Sequence, residues 1–157
     1  MSREKALEAL EAQGFSDRAM FFEDSCATVA LAARAVGVEE ARICKTLSFY
    51  NRDMTGCIII QTAGDSRVNN GMFKRTFGFK PRMLSAEDVL RFTGHEPGGV
   101  CAFGTDPKFA EVYSDESLKR FDLVYPACGT LNSAVRLTPE ELFIASRSID
   151  WVSVSKY

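Results

Sequence analysis

The chain has 157 residues, 46% of them hydrophobic and 25% charged, with a formal charge of −2. That length fits one domain, residues 1–157, able to bury roughly 70% of its unfolded surface; the charge balance leaves no global case for binding nucleic acid or membrane. No apolar run approaches the roughly 20 residues that span a bilayer, and one histidine with five scattered cysteines and no C-x-x-C pair argues against a zinc site.

The N-terminus, Met-Ser-Arg-Glu-Lys-Ala-Leu-Glu, reads as a charged helix start rather than a signal peptide, so a cytoplasmic protein is expected. Residues 4–13 place Ala6, Leu7 and Leu10 on one stripe, ended by Gly14. Met20 to Phe22 is a short apolar run fit for a strand. Ser25 is placed to cap a helix carrying Val29, Ala32, Ala33 and Val36, with Thr28 near its start and Gly37 stopping it. From Ile43 to Phe49 the period switches to two, with Ile43, Lys45, Leu47 and Phe49 on one face. Asn51–Gly56 is a turn, and Cys57–Ile60 is continuously apolar, as a central strand requires.

Asn69 or Asn70 caps a short helix to Phe77, closed by Gly78. Pro81–Leu84 reads as an edge-like strand, and Ser85-Ala-Glu-Asp88 as a capping box before Val89, Leu90 and Phe92. Thr93 to Gly104 then holds four glycines and the only histidine, and Val100–Phe103 leaves it as an expected strand. Val112-Tyr113 precedes a short helix opened at Asp115 and carrying Leu118. Leu123–Ala127 is strand-like, Cys128–Asn132 makes a second tight loop, and Ala134, Val135 and Leu137 form another strand. Thr138-Pro-Glu-Glu141 opens a helix with proline at its first position, and Trp151, Val152 and Val154 end the chain as a strand. Helices and strands interleave, with a hairpin among them, which predicts an α/β (α+β) mixed sheet with helices on its faces.

Four features could carry chemistry. Lys45 sits on an apolar strand face, where lysine is rarely buried without a partner; either its stem packs while the amine reaches water, or its ammonium waits in a cleft for negative charge. Gly98-Gly99 leads into Val100 and Cys101 as a bare-backbone loop that can deliver N–H groups, or it is a plain surface turn. Arg67, Lys74, Arg75, Lys80 and Arg82 occur with no acid among them, interleaved with Phe73, Phe77 and Phe79, a composition suited to phosphates and bases unless the phenylalanines are core. His95 and Cys101 could pair as base and thiol nucleophile, but six residues apart across a glycine loop they are not expected to touch. The cysteines are expected as reduced thiols, and Asp115 and Asn132 as capping residues, Asn132 being equally placed to orient a substrate.

Taken together, Ile43-Cys-Lys-Thr-Leu-Ser-Phe49, Gly64-Asp-Ser-Arg-Val68, Thr93-Gly94, Pro97-Gly-Gly-Val100, Asp115-Glu-Ser-Leu118, and Cys128-Gly129 followed by the Thr138–Leu142 helix resemble the YbaK/prolyl-tRNA synthetase-associated domain family of aminoacyl-tRNA deacylases. The resemblance runs from the Thr28–Gly37 helix to Leu142. It implies a mixed, partly barrel-like β-sheet surrounded by helices, and hydrolysis of the ester that links a wrongly attached amino acid to the terminal ribose of tRNA. No cofactor or metal is implied; the substrate's own ribose hydroxyl assists. Lys45 matches the family's functional lysine, and Gly98 to Ala102 its Gly-x-x-x-Pro loop. Gly99, Val100 and Cys101 would then act with Lys45 at the reacting ester, while Thr28, Gly98, Ala102, Phe103, Gly129 and Asn132 hold the aminoacyl group. Arg67, Lys74, Arg75, Lys80 and Arg82 would meet the tRNA acceptor end, with an aminoacyl-tRNA synthetase as a second candidate partner. The chain departs from the family pattern at Ala102, where proline is usual, and at Cys101, where a small hydroxyl residue is common. The expectation is trans-editing of a small residue such as alanine, cysteine, serine or threonine; the alternatives are a non-catalytic tRNA- or synthetase-binding module and a Cys101–His95 hydrolase.

Overall fold

In the computed structural model, which describes residues 2–157, α1 (Ser2–Ala12) buries Ala6 and Leu10 and is followed by Gly14 at positive φ. β1 (Ala19–Phe21) leads to α2 (Val29–Val36), whose cap is Thr28 rather than Ser25. The Thr28 hydroxyl accepts the Leu31 N–H, whereas Ser25 spends its own on Ala27, outside the helix. β2 (Cys44–Tyr50) and β3 (Cys57–Ala63) form the hairpin, in register from Cys44 opposite Ala63 to Tyr50 opposite Cys57. β4 (Arg67–Val68), α3 (Asn70–Phe77) capped by Asn69, and α4 (Ala86–Thr93) capped by Ser85 follow. The Ser85 box is only half made, because the Asp88 carboxylate accepts the Tyr50 hydroxyl instead of returning to the cap.

β5 (Ala110–Asp115) runs into a 3-10 turn, Glu116–Arg120, capped by Asp115. β6 (Ser133–Val135) precedes α5 (Pro139–Ala145), where Thr138 and Glu141 complete a full capping box. β7 (Trp151–Val152) and β8 (Ser155–Lys156) end the chain. The main sheet is mixed, in the order β2-β3-β5-β7, antiparallel between β2 and β3 and parallel thereafter; β1-β6 and β4-β8 make two smaller antiparallel pairs. Every residue of β3 is buried, as its unbroken apolar run requires of a strand covered on both faces.

Three expected strands are absent as such. Val100–Phe103 is irregular, because Cys101, Ala102 and Phe103 are each driven into the core from a loop rather than alternating across a pleat. Pro81–Leu84 and Leu123–Ala127 reach the sheets through single bridges, Met83 to Phe49, Tyr125 to Ile43 and Val124 to Leu137.

The turn between β3 and β4 is held from several sides. A Cβ on Gly64 would meet the Glu40 carbonyl oxygen at 2.0 Å, so only glycine fits there. Asp65 takes a two-pronged bond from Arg120, at 2.6 and 3.0 Å. β4 is pinned by β8, and β8 by Asp115, whose buried carboxylate accepts from the Ser117 and Val154 N–H groups and the Ser155 hydroxyl. Replacing Asp115 by alanine strips three buried donors of their acceptor. It is expected to cost at least about 2 kcal/mol in urea unfolding, with β4 and the 64–66 turn losing protection first in amide exchange.

Candidate active site

One cavity of about 360 Å³, mostly apolar, opens between the β2 edge, the start of α2 and the glycine loop. Pockets that hold small ligands run from roughly 300 to 1,000 Å³. Lys45 and Leu47 come from β2, Thr28, Val29 and Ala32 from the α2 start, Pro97, Gly98 and Val100 from the loop, and Tyr125, Ala127 and Ala134 from the far wall.

The Lys45 ammonium is half-buried and donates to the Ser66 carbonyl in the pinned turn. An ammonium has three donors, so two remain for a ligand. Burial lowers its pKa first, the neighbouring Arg67 guanidinium adds to the fall, and Asp65 opposes both. The charged form is thus destabilised by its surroundings, and the amine loses its proton at lower pH than a free lysine, near 10.4. Neutralising Arg67 as Arg67→Gln removes a repulsion and is expected to move the Lys45 titration upward, read by nitrogen-15 NMR of the Nζ; Asp65→Asn is expected to move it down.

The glycine loop is shaped by its partner loop. Gly98 has φ +89 and lies so close to Leu131 that a Cβ would stand 2.7 Å from Cδ2. Gly99 turns to the second loop, where a Cβ would come 3.3 Å from the Gly129 carbonyl, and its own N–H is spent on Glu96 at 3.0 Å. Val100 faces the cavity, and its N–H makes no hydrogen bond among the described residues.

Of the residues expected at the reacting ester, Lys45 and Val100 therefore line the cavity, while Gly99 and Cys101 stand behind it. Of those expected to hold the aminoacyl group, Thr28 and Gly98 line it and Ala102, Phe103, Gly129 and Asn132 do not. The Thr28 hydroxyl is already engaged as the α2 cap. Ala102 packs among Ile59, Phe92, Ala110 and Val112, so the missing proline is a matter of core packing rather than of cavity surface. Asn132 ties the second loop together, donating to the Phe22 carbonyl at 2.6 Å and accepting from the Thr130 hydroxyl at 2.9 Å.

His95 and Cys101 do touch, contrary to expectation: Cys101 Sγ lies 3.5 Å from His95 Nε2. The reason is that Nε2 also lies 2.8 Å from the Phe103 carbonyl, an acceptor only, so this nitrogen donates and draws the two ends of the loop together. Both side chains are fully buried, and neither lines the cavity. Burial pushes the Cys101 thiol up to about 12, opposed by hydrogen bonding to the Phe103 and Gly129 backbone. Such a thiol supplies almost no thiolate at neutral pH, which removes the cysteine-hydrolase alternative. Burial also lowers the His95 pKa against the pull of the Phe103 carbonyl. A histidine that resists protonation only in the folded state makes the unfolded state bind more protons below about pH 6.5, so stability falls as pH falls. Wild type is expected to lose more stability between pH 7 and pH 5 than His95→Gln, measured by urea unfolding at each pH.

The basic residues Arg67, Lys74, Arg75, Lys80 and Arg82 are all exposed. Of their interleaved aromatics, Phe73 is fully buried and packs against Phe49, Phe77 and Phe79 with ring centroids 4.7–5.7 Å apart, so it cannot stack on a base, while Phe77 and Phe79 are half-buried. Arg82, the last cation of the stretch, immediately precedes Met83, which lines the cavity and is 60% exposed. Among the described residues no group of three or more His, Cys, Asp or Glu side chains is placed to hold a metal ion, and no helix is long and apolar enough to cross a membrane.

A family profile described as the aminoacyl-tRNA editing domain matches residues 23–144, which contain every cavity-lining residue. The chain belongs to the aminoacyl-tRNA editing domain family. This editing domain is 53% identical over 137 residues to the uncharacterized protein YwhH of Bacillus subtilis (strain 168), covering 86% of this chain and 85% of that one. Its fold is similar to the crystal structure of a protein proposed to be a trans-editing enzyme for prolyl tRNA synthetase, with a TM-score of 0.87 and 29% identity over 99% of this chain and 98% of that one. It is similar also to the crystal structure of hypothetical protein APE2540, with a TM-score of 0.84 and 29% identity over 97% and 99%. The mixed sheet with surrounding helices expected from the sequence is thus the fold of the editing domain, although the sheets do not close into a barrel.

What the sequence pattern missed is the rest of the wall. Cys26, Ala27, Ile43, Met83, Val89, Pro97 and Tyr125 all face the cavity. Pro97, beside Gly98-Gly99, and Ile43, on the face of Lys45, lay in stretches already singled out, but none of the seven was itself marked as lining a site.

Proposed function

We propose that this editing domain is an aminoacyl-tRNA deacylase, hydrolysing in trans, in the cytoplasm, the ester of a tRNA mischarged with a small amino acid such as alanine, cysteine, serine or threonine. Residues 1–157 act as one unit in this reading. The observation that carries it is a small apolar cavity lined both by the half-buried Lys45 of β2 and by Gly98 and Val100 of the glycine loop.

An activated ester needs little more than an oriented water and a counter to the oxyanion. Lys45 supplies positive charge in a site partly withdrawn from water, where it is worth more than in bulk. The N–H groups of Gly98 and Val100, both cavity-lining and neither hydrogen-bonded among the described residues, are the loop's candidate donors, where the sequence pointed to Gly99, Val100 and Cys101. The single histidine is buried away from the cavity, so the general base is sought in the substrate's ribose hydroxyl rather than in the protein. A confined cavity also explains why a second hydrolytic site is useful: binding alone separates two side chains differing by one methylene by only ~1–3 kcal/mol. Arg67, Lys74, Arg75, Lys80 and Arg82 would meet backbone phosphates near the mouth, giving affinity that falls with salt.

The test is a panel of mischarged tRNAs incubated with purified protein. At least one small aminoacyl ester is expected to be cleared, and Lys45→Ala, folded by circular dichroism, is expected to lose about 100-fold or more in rate. If tRNA binds with steep salt dependence but every ester persists, the domain is a binding module. If Lys45→Ala stays fully active, the site lies elsewhere.

A further inference from the structure

Five consecutive residues, Cys44 to Ser48, line the cavity. Side chains alternate along a strand, so a cavity lying on one face of β2 would meet every second residue. Five in a row means that the cavity lies along the strand's open edge. β2 is indeed the last strand of its sheet.

The direction of the edge amides follows from the bonds already made. The Cys44 N–H donates to the Tyr125 carbonyl at 3.1 Å, the Tyr50 N–H to the Arg82 carbonyl at 2.8 Å, and the Ser48 carbonyl accepts the Leu84 N–H at 3.4 Å. Even-numbered residues of β2 therefore turn their amides away from β3, since antiparallel pairing alternates inward and outward residues. Thr46 sits midway between these bridges. Its N–H and C=O point outward along the cavity and form no hydrogen bond among the described residues.

We propose that the Thr46 backbone reads the α-amino acyl group itself, its C=O accepting from the substrate's α-ammonium and its N–H donating to the ester carbonyl. The proposal rests on the deacylase reading above. An aminoacyl ester offers one donor and one acceptor across a single Cα, which is one residue's worth of antiparallel pairing. An added peptide strand fits worse, because the bridges at Tyr125 and Met83 cut the free edge to Cys44–Ser48, about 13 Å at ~3.3 Å per residue. Recognition of this kind is blind to the side chain at position 46 and demands a free α-amine. The cavity walls are left to judge the substrate's own side chain.

Proline gives a direct test, since it removes an N–H that β2 does not use in its ladder with β3, a position where edge strands accept it. With the best aminoacyl-tRNA of the panel as substrate, Thr46→Pro is expected to lose at least about tenfold in kcat/KM. In parallel, wild type is given the same tRNA carrying the corresponding acyl group without its α-amine, for which a rise in KM of at least about tenfold is expected. A folded Thr46→Pro enzyme with wild-type kcat/KM overturns the proposal, and so does equal KM for the two acyl groups, which decides the matter even if the proline variant fails to fold. Active wild type with inactive Lys45→Ala beside either of those results condemns the edge assignment alone. A wild type inert to the whole panel condemns the deacylase reading, and this proposal with it.

Discussion

The site depends on one charge–carbonyl contact, the Lys45 ammonium against the Ser66 carbonyl. Withdrawing an ammonium halfway from water is unfavourable unless polar groups replace its hydration. Here the replacement is a backbone carbonyl in a turn with little freedom to move. Gly64 lies too close to Glu40 for any side chain, Arg120 grips Asp65 with two bonds, and β4 is zipped to β8. β8 in turn hangs on Asp115, more than thirty residues earlier in the chain. A residue with no atom in the cavity thus decides how firmly the cavity's cation is aimed, through an unbroken series of hydrogen bonds.

The glycine loop's part of the cavity lining is positioned by a different device. The loop from Glu96 to Ala102 carries no ladder bonds, yet its ends are fastened by the His95–Phe103 bond and its back by packing of Gly99 on Gly129. Cys101 fills the space beneath, buried against His95. The groups that look most reactive in the sequence are therefore structural, and their work is to present Gly98 and Val100. A neutral, buried imidazole suits that task, because its bond to the loop does not come and go with pH near neutrality.

How much of this was legible in the sequence divides along local and non-local lines. Most caps, the β2–β3 hairpin, the Asp115 turn and the Thr138 capping box depend on residues within a few positions of one another and were readable, whereas the α2 cap was assigned to Ser25 instead of Thr28, three residues on. Lys45 was legible as an anomaly because period-two patterning puts it among Ile43, Leu47 and Phe49. Its partner Ser66 was not, since nothing local marks a carbonyl as an acceptor. Val100–Phe103 and Leu123–Ala127 looked like strands because burial alone makes a run apolar, whether or not the backbone finds a neighbour to pair with. The contact between His95 and Cys101 was missed for the same reason. A loop can close on itself when a side chain at one end finds a carbonyl at the other, as His95 finds that of Phe103, and sequence spacing does not report that.

The charge distribution follows the same division. The chain as a whole is slightly acidic, yet from Arg67 to Leu84 it carries five cations and no anion, and that stretch runs past the mouth of the cavity at Met83. With screening lengths near 8–10 Å in physiological salt, such a stretch is felt locally and hardly at all across the molecule. Of its phenylalanines, Phe73 is buried beneath α3, while Phe77 and Phe79 are half-buried beside it. Exposed cations of this kind suit a phosphate backbone, so discrimination among tRNAs, on the proposed reading, has to come from the acyl group in the cavity or from a partner. On the proposed reading the exposed cations meet what tRNAs have in common, and the largely apolar cavity with its Lys45 ammonium examines the little that differs.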